Sequence, residues 1–217
     1  MLKKIICTMC LCMLASLSVF AGEYKGVTSN APITKTQYET ARKIILELQN
    51  ETPKHFCEHC GPFCAAIYDD KGNLIAKAQN SVIPGCDCTN HAEMNAIRLA
   101  QKKLNTYDLS KYNLSLYVTA EPCIMCAGGI MWSGIKNVYF GVYSKDVEAI
   151  TGFDEGYKPN WIEQFKLRGI NVYGGIEQEY GKKVLAQYVK NRNTTFQFNA
   201  PNQKLKSTRW TNCKQYG

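Results

Sequence analysis

Two short fragments carry residue types that do chemistry, His91-Ala92-Glu93 and Pro122-Cys123-Ile124-Met125-Cys126. Cys123 and Cys126 are spaced i, i+3, so on one helical turn both sulfurs can face the same point. With His91 they make three ligands, one fewer than a closed structural zinc site uses, and an open fourth position is the arrangement of catalytic zinc. One Zn2+ per chain is the expected cofactor. Glu93, two residues beyond His91, is poorly placed to bind the same metal and well placed to take a proton from a water beside it. Taken singly, each residue has an ordinary reading. Glu93 suits the N3 position of an Asn90-x-x-Glu93 capping box, Cys123-x-x-Cys126 suits a redox disulfide, and His91 suits a packed or surface histidine. Their combination in one chain is what points to a zinc hydrolase.

The elements that must position these residues are legible from periodicity. Thr36-x-x-Glu39 reads as a capping box ahead of Tyr38, Ala41, Ile44, Ile45 and Leu48 on one face, so the pattern predicts a helix over 36–50. Pro53 ends it. Phe63 to Tyr68, the turn Asp69 to Asn73, and Leu74 to Ala78 predict a β-hairpin. A helix is expected from His91 to Leu104, a strand from Leu114 to Thr119, and a short helix opening at Pro122-Cys123, where proline fits the first turn. Strands follow at Val138 to Tyr143 and Ile170 to Tyr173, then a helix over 183–192. Strands alternating with helices imply an α/β layered sheet.

Composition sets the bounds. The chain has 217 residues, 45% hydrophobic and 20% charged, enough for one sizeable core and too apolar for a disordered chain. Lys3 and Lys4 followed by the apolar run Ile5 to Phe20 and the small residue Ala21 read as a signal peptide over 1–21. The run is shorter than the roughly 20 residues of a membrane span, and no later segment is long and apolar enough for one. A periplasmic or secreted protein free of the membrane after cleavage is therefore expected. Cleavage lowers the net charge from +8 to +6, with lysines scattered rather than bunched, so a nucleic-acid partner is possible without being favoured. Residues 22–35 read as a polar leader and 193–217 as a polar C-terminal tail. Outside the zinc pair, Cys57, Cys60, Cys64, Cys86, Cys88 and Cys213 remain in the mature chain, and their pairing is open. Oxidation in the exported protein would suit Cys57 or Cys60 bonded to Cys86 or Cys88. His55, Cys57, His59 and Cys60 also suit a second metal.

The two fragments match the H-x-E and P-C-x-x-C pattern of zinc nucleobase deaminases. From about Thr36 to about Arg192 the chain resembles the cytidine and deoxycytidylate deaminase superfamily, in the branch of bacterial guanine deaminases and tRNA-specific adenosine deaminases. Gly61-Pro62-Phe63, Gln79-Asn80, His91 through Ile97, Glu121-Pro122-Cys123 and Gly152-Phe153-Asp154-Glu155 carry the likeness. It implies a deaminase domain over 36–192, a three-layer α/β/α cytidine-deaminase-like fold with a five-stranded mixed sheet, and a homodimer. It further implies that Phe63 stacks on a purine ring, Asn80 hydrogen-bonds to the base, and the backbone at Ala92 contacts the reacting end. Glu155 matches the second carboxylate of guanine deaminases. In similar guanine deaminases the C-terminal segment crosses to the partner and closes its site with an aromatic, a part that falls here to Tyr216. Three positions depart from the family pattern: Cys64 for glycine, Cys88 for proline and Asn90 for alanine.

The expected activity is hydrolytic deamination of a nucleobase or nucleoside, a small-molecule purine or pyrimidine, with guanine first. Glu93 would be the catalytic residue and His91, Cys123 and Cys126 the metal ligands. Two other readings stand beside it. One is a deaminase of adenosine or cytosine in tRNA or another nucleic acid, exported or not; the other is a non-catalytic secreted zinc-binding module.

Overall fold

The computed structural model describes residues 28–55 and 60–195. The expected signal peptide, the first part of the leader, Cys57, His59, Cys213 and Tyr216 lie outside the described residues. Six strands form one sheet in the order β1-β6-β5-β4-β2-β3. They are β1 (Thr28–Ser29), β2 (Cys64–Tyr68), β3 (Leu74–Gln79), β4 (Ser115–Ala120), β5 (Asn137–Val142) and β6 (Asn171–Gly174). The central β4, β5 and β6 run parallel, whereas β2 is antiparallel to both β3 and β4, which makes the sheet mixed.

The sheet has six strands where five were expected. The extra one, β1, pairs antiparallel with β6 at its edge, Thr28 opposite Gly174 and Ser29 opposite Tyr173. Both of its residues are exposed, so no alternation of apolar residues marks it. Side chains beyond the strand hold it instead: Asn30 accepts from the Val172 amide at 2.8 Å and donates to the Ile170 carbonyl at 3.1 Å. Residues 28–35, read as part of a leader, thus belong to the folded domain, and Ile33 is buried in its core.

Helix α1 (Lys35–Glu51) starts one position before the expected range, with Thr34 as N-cap. The capping box is Thr34 with Gln37 rather than Thr36 with Glu39: Gln37 N–H donates to Thr34 Oγ1 at 3.2 Å, and Thr34 N–H donates to Gln37 Oε1 at 2.9 Å. Burying Ile33 fixes the chain entry there. The remaining helices are α2 (Ala92–Leu104), α3 (Ile124–Ser133), α4 (Ser144–Thr151), α5 (Trp161–Leu167) and α6 (Gln178–Thr195). Helices α4 and α5 were not expected, and α6 begins five residues before the range read from sequence.

Alternation along the strands sorts side chains to two faces. Ala65, Ile67, Leu116, Val118, Val138, Phe140 and Val172 pack against α2, α3 and α5 through Ala96, Ile97, Ala127, Ile130 and Phe165. The opposite face meets α1 through Ala41, Ile44, Ile45 and Leu48, and α6 packs beside α1 and against β5. Each fully buried Ile or Leu contributes about 1.5–3 kcal/mol. The layers are helix, sheet, helix, as expected. On the α1 face Tyr117, Tyr139 and Tyr173 stack across adjacent strands with ring centroids 4.8 and 4.7 Å apart. No helix among the described residues is long and apolar enough to cross a membrane.

Candidate active site

Two helix starts meet at one end of the sheet. Strand β4 ends at Ala120, and Glu121-Pro122-Cys123 turns the chain into α3 with Cys123 as N-cap; His91 is the N-cap of α2. Neither cap residue uses its side chain to close the helix, so both side chains are left for other work. Asn90 does not form the capping box that would have claimed Glu93. Its side-chain oxygen accepts from Arg98 at 2.9 Å instead.

His91 Nδ1 lies 3.5 Å from Cys123 Sγ. The donor atoms of His91, Cys123 and Cys126 all fall within 4.8 Å of one another. Two sulfurs and an imidazole nitrogen are a zinc donor set, and a tetrahedral site with bonds of about 2.0–2.3 Å needs donors this close. The residues present fit the ion. Both helix N-termini aim their positive ends at the cluster, which favours thiolates there.

The electrostatics divide the two cysteines. A hydrogen bond from Cys126 holds the Cys123 thiol down to about 4 despite its burial, with His91 helping. Cys126 is raised, by that same bond and then by burial. Burial opposes a charge on His91, but the hydrogen bond and charge of Cys123 outweigh it and leave its pKa raised.

Two carboxyl groups face this cluster. Glu93 is 5% exposed; burial first, then the Cys123 charge, push it up to about 7, while its backbone amide, His91 and Cys126 oppose the rise. Glu155, also buried, is pushed up to about 8 by burial and by the charges of Cys123 and Glu93, against Lys158 and His91. Carboxyls tuned toward neutrality beside a nucleophile's site suit proton transfer.

Residues 36–142 match the model of the cytidine and deoxycytidylate deaminase zinc-binding region. The chain is 34% identical over 132 residues to the tRNA-specific adenosine deaminase of Haemophilus influenzae, covering 60% of this chain and 72% of that protein. The chain belongs to the cytidine and deoxycytidylate deaminase family. It is also 43% identical over 97 residues to the guanine deaminase of Bacillus subtilis, 45% of this chain, and it spans 60% of that relative's length. A solved structure described as guanine deaminase from Nitrosomonas europaea superposes with a TM-score of 0.66 at 38% identity, covering 69% of this chain and 84% of that one.

Within this deaminase frame the structure brings Glu93, His91, Cys123, Cys126 and Glu155 together. Phe63 and Asn80 are neighbours of each other: the Asn80 amide donates to the Phe63 carbonyl at 3.0 Å. Asn80 is buried, and its Oδ1 accepts from the Gly61 and Val82 amides, each at 3.3 Å. One residue on, Ser81 N–H donates to the Asn90 carbonyl at 2.9 Å, which ties this strand end to the residue preceding His91. Ala92 is fully buried at the start of α2.

Several residues escaped the sequence reading. Phe153 lies 6.1 Å from Phe63 and 6.3 Å from Tyr188, ring to ring, extending an aromatic row from β2 toward α6. It sits inside the Gly-Phe-Asp-Glu fragment, so the signal was present. Arg98 clasps Asn90, Asn95 and Thr89 at 2.9, 3.0 and 2.6 Å, and only the fold brings those three together. The expected pairing of Cys57 or Cys60 with Cys86 or Cys88 is not formed. Cys60 is disulfide-bonded, while Cys86 and Cys88 are exposed thiols. Its disulfide also removes Cys60 from a second metal set, and His91, Cys123 and Cys126 are the one such group among the described residues.

Proposed function

We propose that the protein is a zinc-dependent hydrolase that deaminates a nucleobase, guanine first, converting guanine and water to xanthine and ammonia. The observation that carries the chemistry is the buried Glu93 carboxyl beside the three-ligand cluster of His91, Cys123 and Cys126. Those three residues would hold zinc, which when bound supplies a nucleophile from water at neutral pH. Glu93 takes the proton that this water sheds and returns protons to the ring nitrogen and the leaving amine. The low-dielectric surroundings of Glu93 keep its proton from leaking to solvent.

Guanine is favoured over other bases by Glu155, a second buried carboxyl facing the same cluster, at the position of the Gly-Phe-Asp-Glu fragment. There it holds the exocyclic amine or shuttles a proton. Phe63 stacks on the ring, with Phe153 behind it, while Asn80 bonds to the base edge and the backbone at Ala92 meets the reacting end. The guanine deaminases of Bacillus subtilis and Nitrosomonas europaea among its relatives support this choice. Export to the periplasm or beyond and assembly as a homodimer belong to the same proposal. Export is supported by the sequence of residues 1–21, the dimer by the family resemblance, which also gives Tyr216 its part in closing a partner's site.

A second reading is deamination of a base in tRNA, favoured by the likeness to the Haemophilus influenzae enzyme and by the net positive charge. The test is ammonia release by the zinc-loaded protein from Gly22 onward, offered guanine, guanosine, adenine, cytosine, cytidine and an RNA hairpin, with Glu93→Ala as control. Turnover of guanine that the control lacks is the expected result. Turnover of the hairpin alone would move the tRNA reading forward, and zinc binding without any turnover would identify a non-catalytic module.

A further inference from the structure

Nine residues, 152–160, join α4 to α5, and this loop carries Glu155. Two of its residues are fastened to the same short stretch of chain, the turn that delivers Cys123. The Glu155 carbonyl accepts a hydrogen bond from Ile124 N–H at 3.1 Å. Three residues on, Lys158 Nζ lies 3.3 Å from Glu121 Oε1, and the two side chains are only 8% and 12% exposed. Lys158 also donates to Ser144 Oγ at 2.5 Å. Glu121 completes the triangle by accepting from Ser144 N–H at 2.9 Å, the first amide of α4. The Lys158 ammonium stands 6.0 Å from the centre of the Trp161 ring.

A lysine on a loop ordinarily keeps its ammonium in water. Withdrawing it and a carboxylate from solvent costs desolvation on both, offset only by close pairing and further hydrogen bonds. This pair has both. Neither residue extends an apolar core, and the consequence of the pairing is geometric. Glu121 directly precedes Pro122-Cys123, so the ion pair fixes the loop to the segment bearing the metal ligands. The Ile124 bond fixes it again at Glu155 itself, three residues before Lys158.

We propose that Lys158, through its buried contact with Glu121 and Ser144, is a positioning residue that latches the loop so that the Glu155 carboxyl faces the cluster of His91, Cys123 and Cys126. This rests on the reading in which Glu155 takes part in deamination. Lys158 itself touches no substrate in this scheme.

The test compares wild type, Lys158→Met, Lys158→Arg, Ser144→Ala, Glu155→Gln and the Lys158→Met/Glu155→Gln double variant, all as the zinc-loaded protein. Lys158→Met is expected to lower kcat on guanine about 10-fold or more, with KM within about twofold and zinc still bound, because orientation rather than binding is lost. Lys158→Arg is expected to restore most of kcat. The double variant is expected to be no slower than Glu155→Gln alone, since both changes remove one function. Multiplying losses, or a wild-type kcat in Lys158→Met, would overturn the proposal.

Amide hydrogen exchange supplies the readout that does not depend on turnover. Exchange at Ile124 and across 153–157 is expected to rise about 10-fold in Lys158→Met while β4 and β5 keep their protection. Should the wild type act on no base at all, the function reading fails, and this exchange pattern alone decides the latch: unchanged protection refutes it. Ser144→Ala removes one acceptor without stranding a charge, so it carries the same test should Lys158→Met fail to fold. Its loop exchange is expected to rise about 2–5-fold, and no rise would equally overturn the latch.

Discussion

The main-chain N–H of Ile124 donates to the carbonyl of Glu155 across 3.1 Å, so the residue after a zinc-ligand candidate and the second carboxylate of the site are joined backbone to backbone. That bond spends one of the orphan amides at the N-terminus of α3. It also brings the chain at Gly156 hard against the Ile124 side chain, because Gly156 follows in a left-handed conformation with φ of 73°.

Gly156→Ala tests how tightly this contact is set. A β-carbon there would stand 2.5 Å from Ile124 Cγ2 and would sit on a backbone conformation that L-residues rarely adopt. The loop must shift, and Glu155 with it. Turnover is expected to fall about 10-fold or more with zinc content unchanged, on the scale at which a misplacement near 1 Å acts. Metal analysis beside steady-state kinetics checks this, and a variant with normal kcat would show that the loop tolerates displacement.

Glu93→Gln keeps the shape of a buried side chain and removes its charge. Loss of a positioned acid or base lowers kcat by about 10²–10⁴, while the cluster of His91, Cys123 and Cys126 still binds metal. Because burial disfavours the carboxylate form of Glu93, the variant is expected to unfold at the same or a higher temperature than wild type. A destabilised variant would mean that Glu93 serves the fold rather than the reaction.

Tyr139→Ala addresses stability away from the site. Tyr139 lies between Tyr117 and Tyr173 in the stack on the α1 face and is buried. Truncating a buried aromatic costs about 3–5 kcal/mol, and here two ring pairs are lost together, each worth about 0.5–1.5 kcal/mol. Denaturant unfolding reads the difference. Tyr139→Phe is expected to cost far less, since the stacked ring is kept.

The sequence made five strands and the metal cluster readable for physical reasons that did not extend to the rest. Val138, Phe140 and Val142 alternate as a strand must, and a Cys-x-x-Cys spacing reports directly which sulfurs share a helical turn. Strand β1 has two exposed residues and edge partners 144 and 146 positions along the chain, so nothing local announces it. Two overlapping boxes, Thr34 with Gln37 and Thr36 with Glu39, compete for the start of α1, and burial of Ile33 selects the first. The short helices α4 and α5 bury only Val147 and Phe165, too few for a period to show. Gly181 hid the first turn of α6; its missing side chain is what lets the helix approach Val142 and Gln49. Glu155 could be named from its fragment, but its two fastenings, to Ile124 and through Lys158 to Glu121, exist only once the loop is folded.

Thiol reactivity separates the described cysteines by environment and probes the metal at the same time. Cys88 is exposed and is expected to react first with an alkylating reagent in the native protein. Cys64 is buried, its thiol pushed up to about 11 by that burial against a hydrogen bond from Thr52, so both access and thiolate are lacking and it is expected to stay unlabelled until unfolding. Cys123 is the contrary case. It is buried yet held as a thiolate at neutral pH, a combination that makes it reactive as soon as a reagent reaches it. Zinc bound by Cys123 and Cys126 blocks both sulfurs, so the zinc-loaded protein should show neither labelled, and a strong chelator should expose Cys123 ahead of Cys64. Chelation should also lower the melting temperature, since a metal that binds only the folded chain stabilises it by mass action. Peptide mapping after timed alkylation resolves the sites. Labelling of Cys123 at equal rates with and without chelator would mean that these sulfurs hold no metal, and with that the nucleophile of the proposed reaction would have no source.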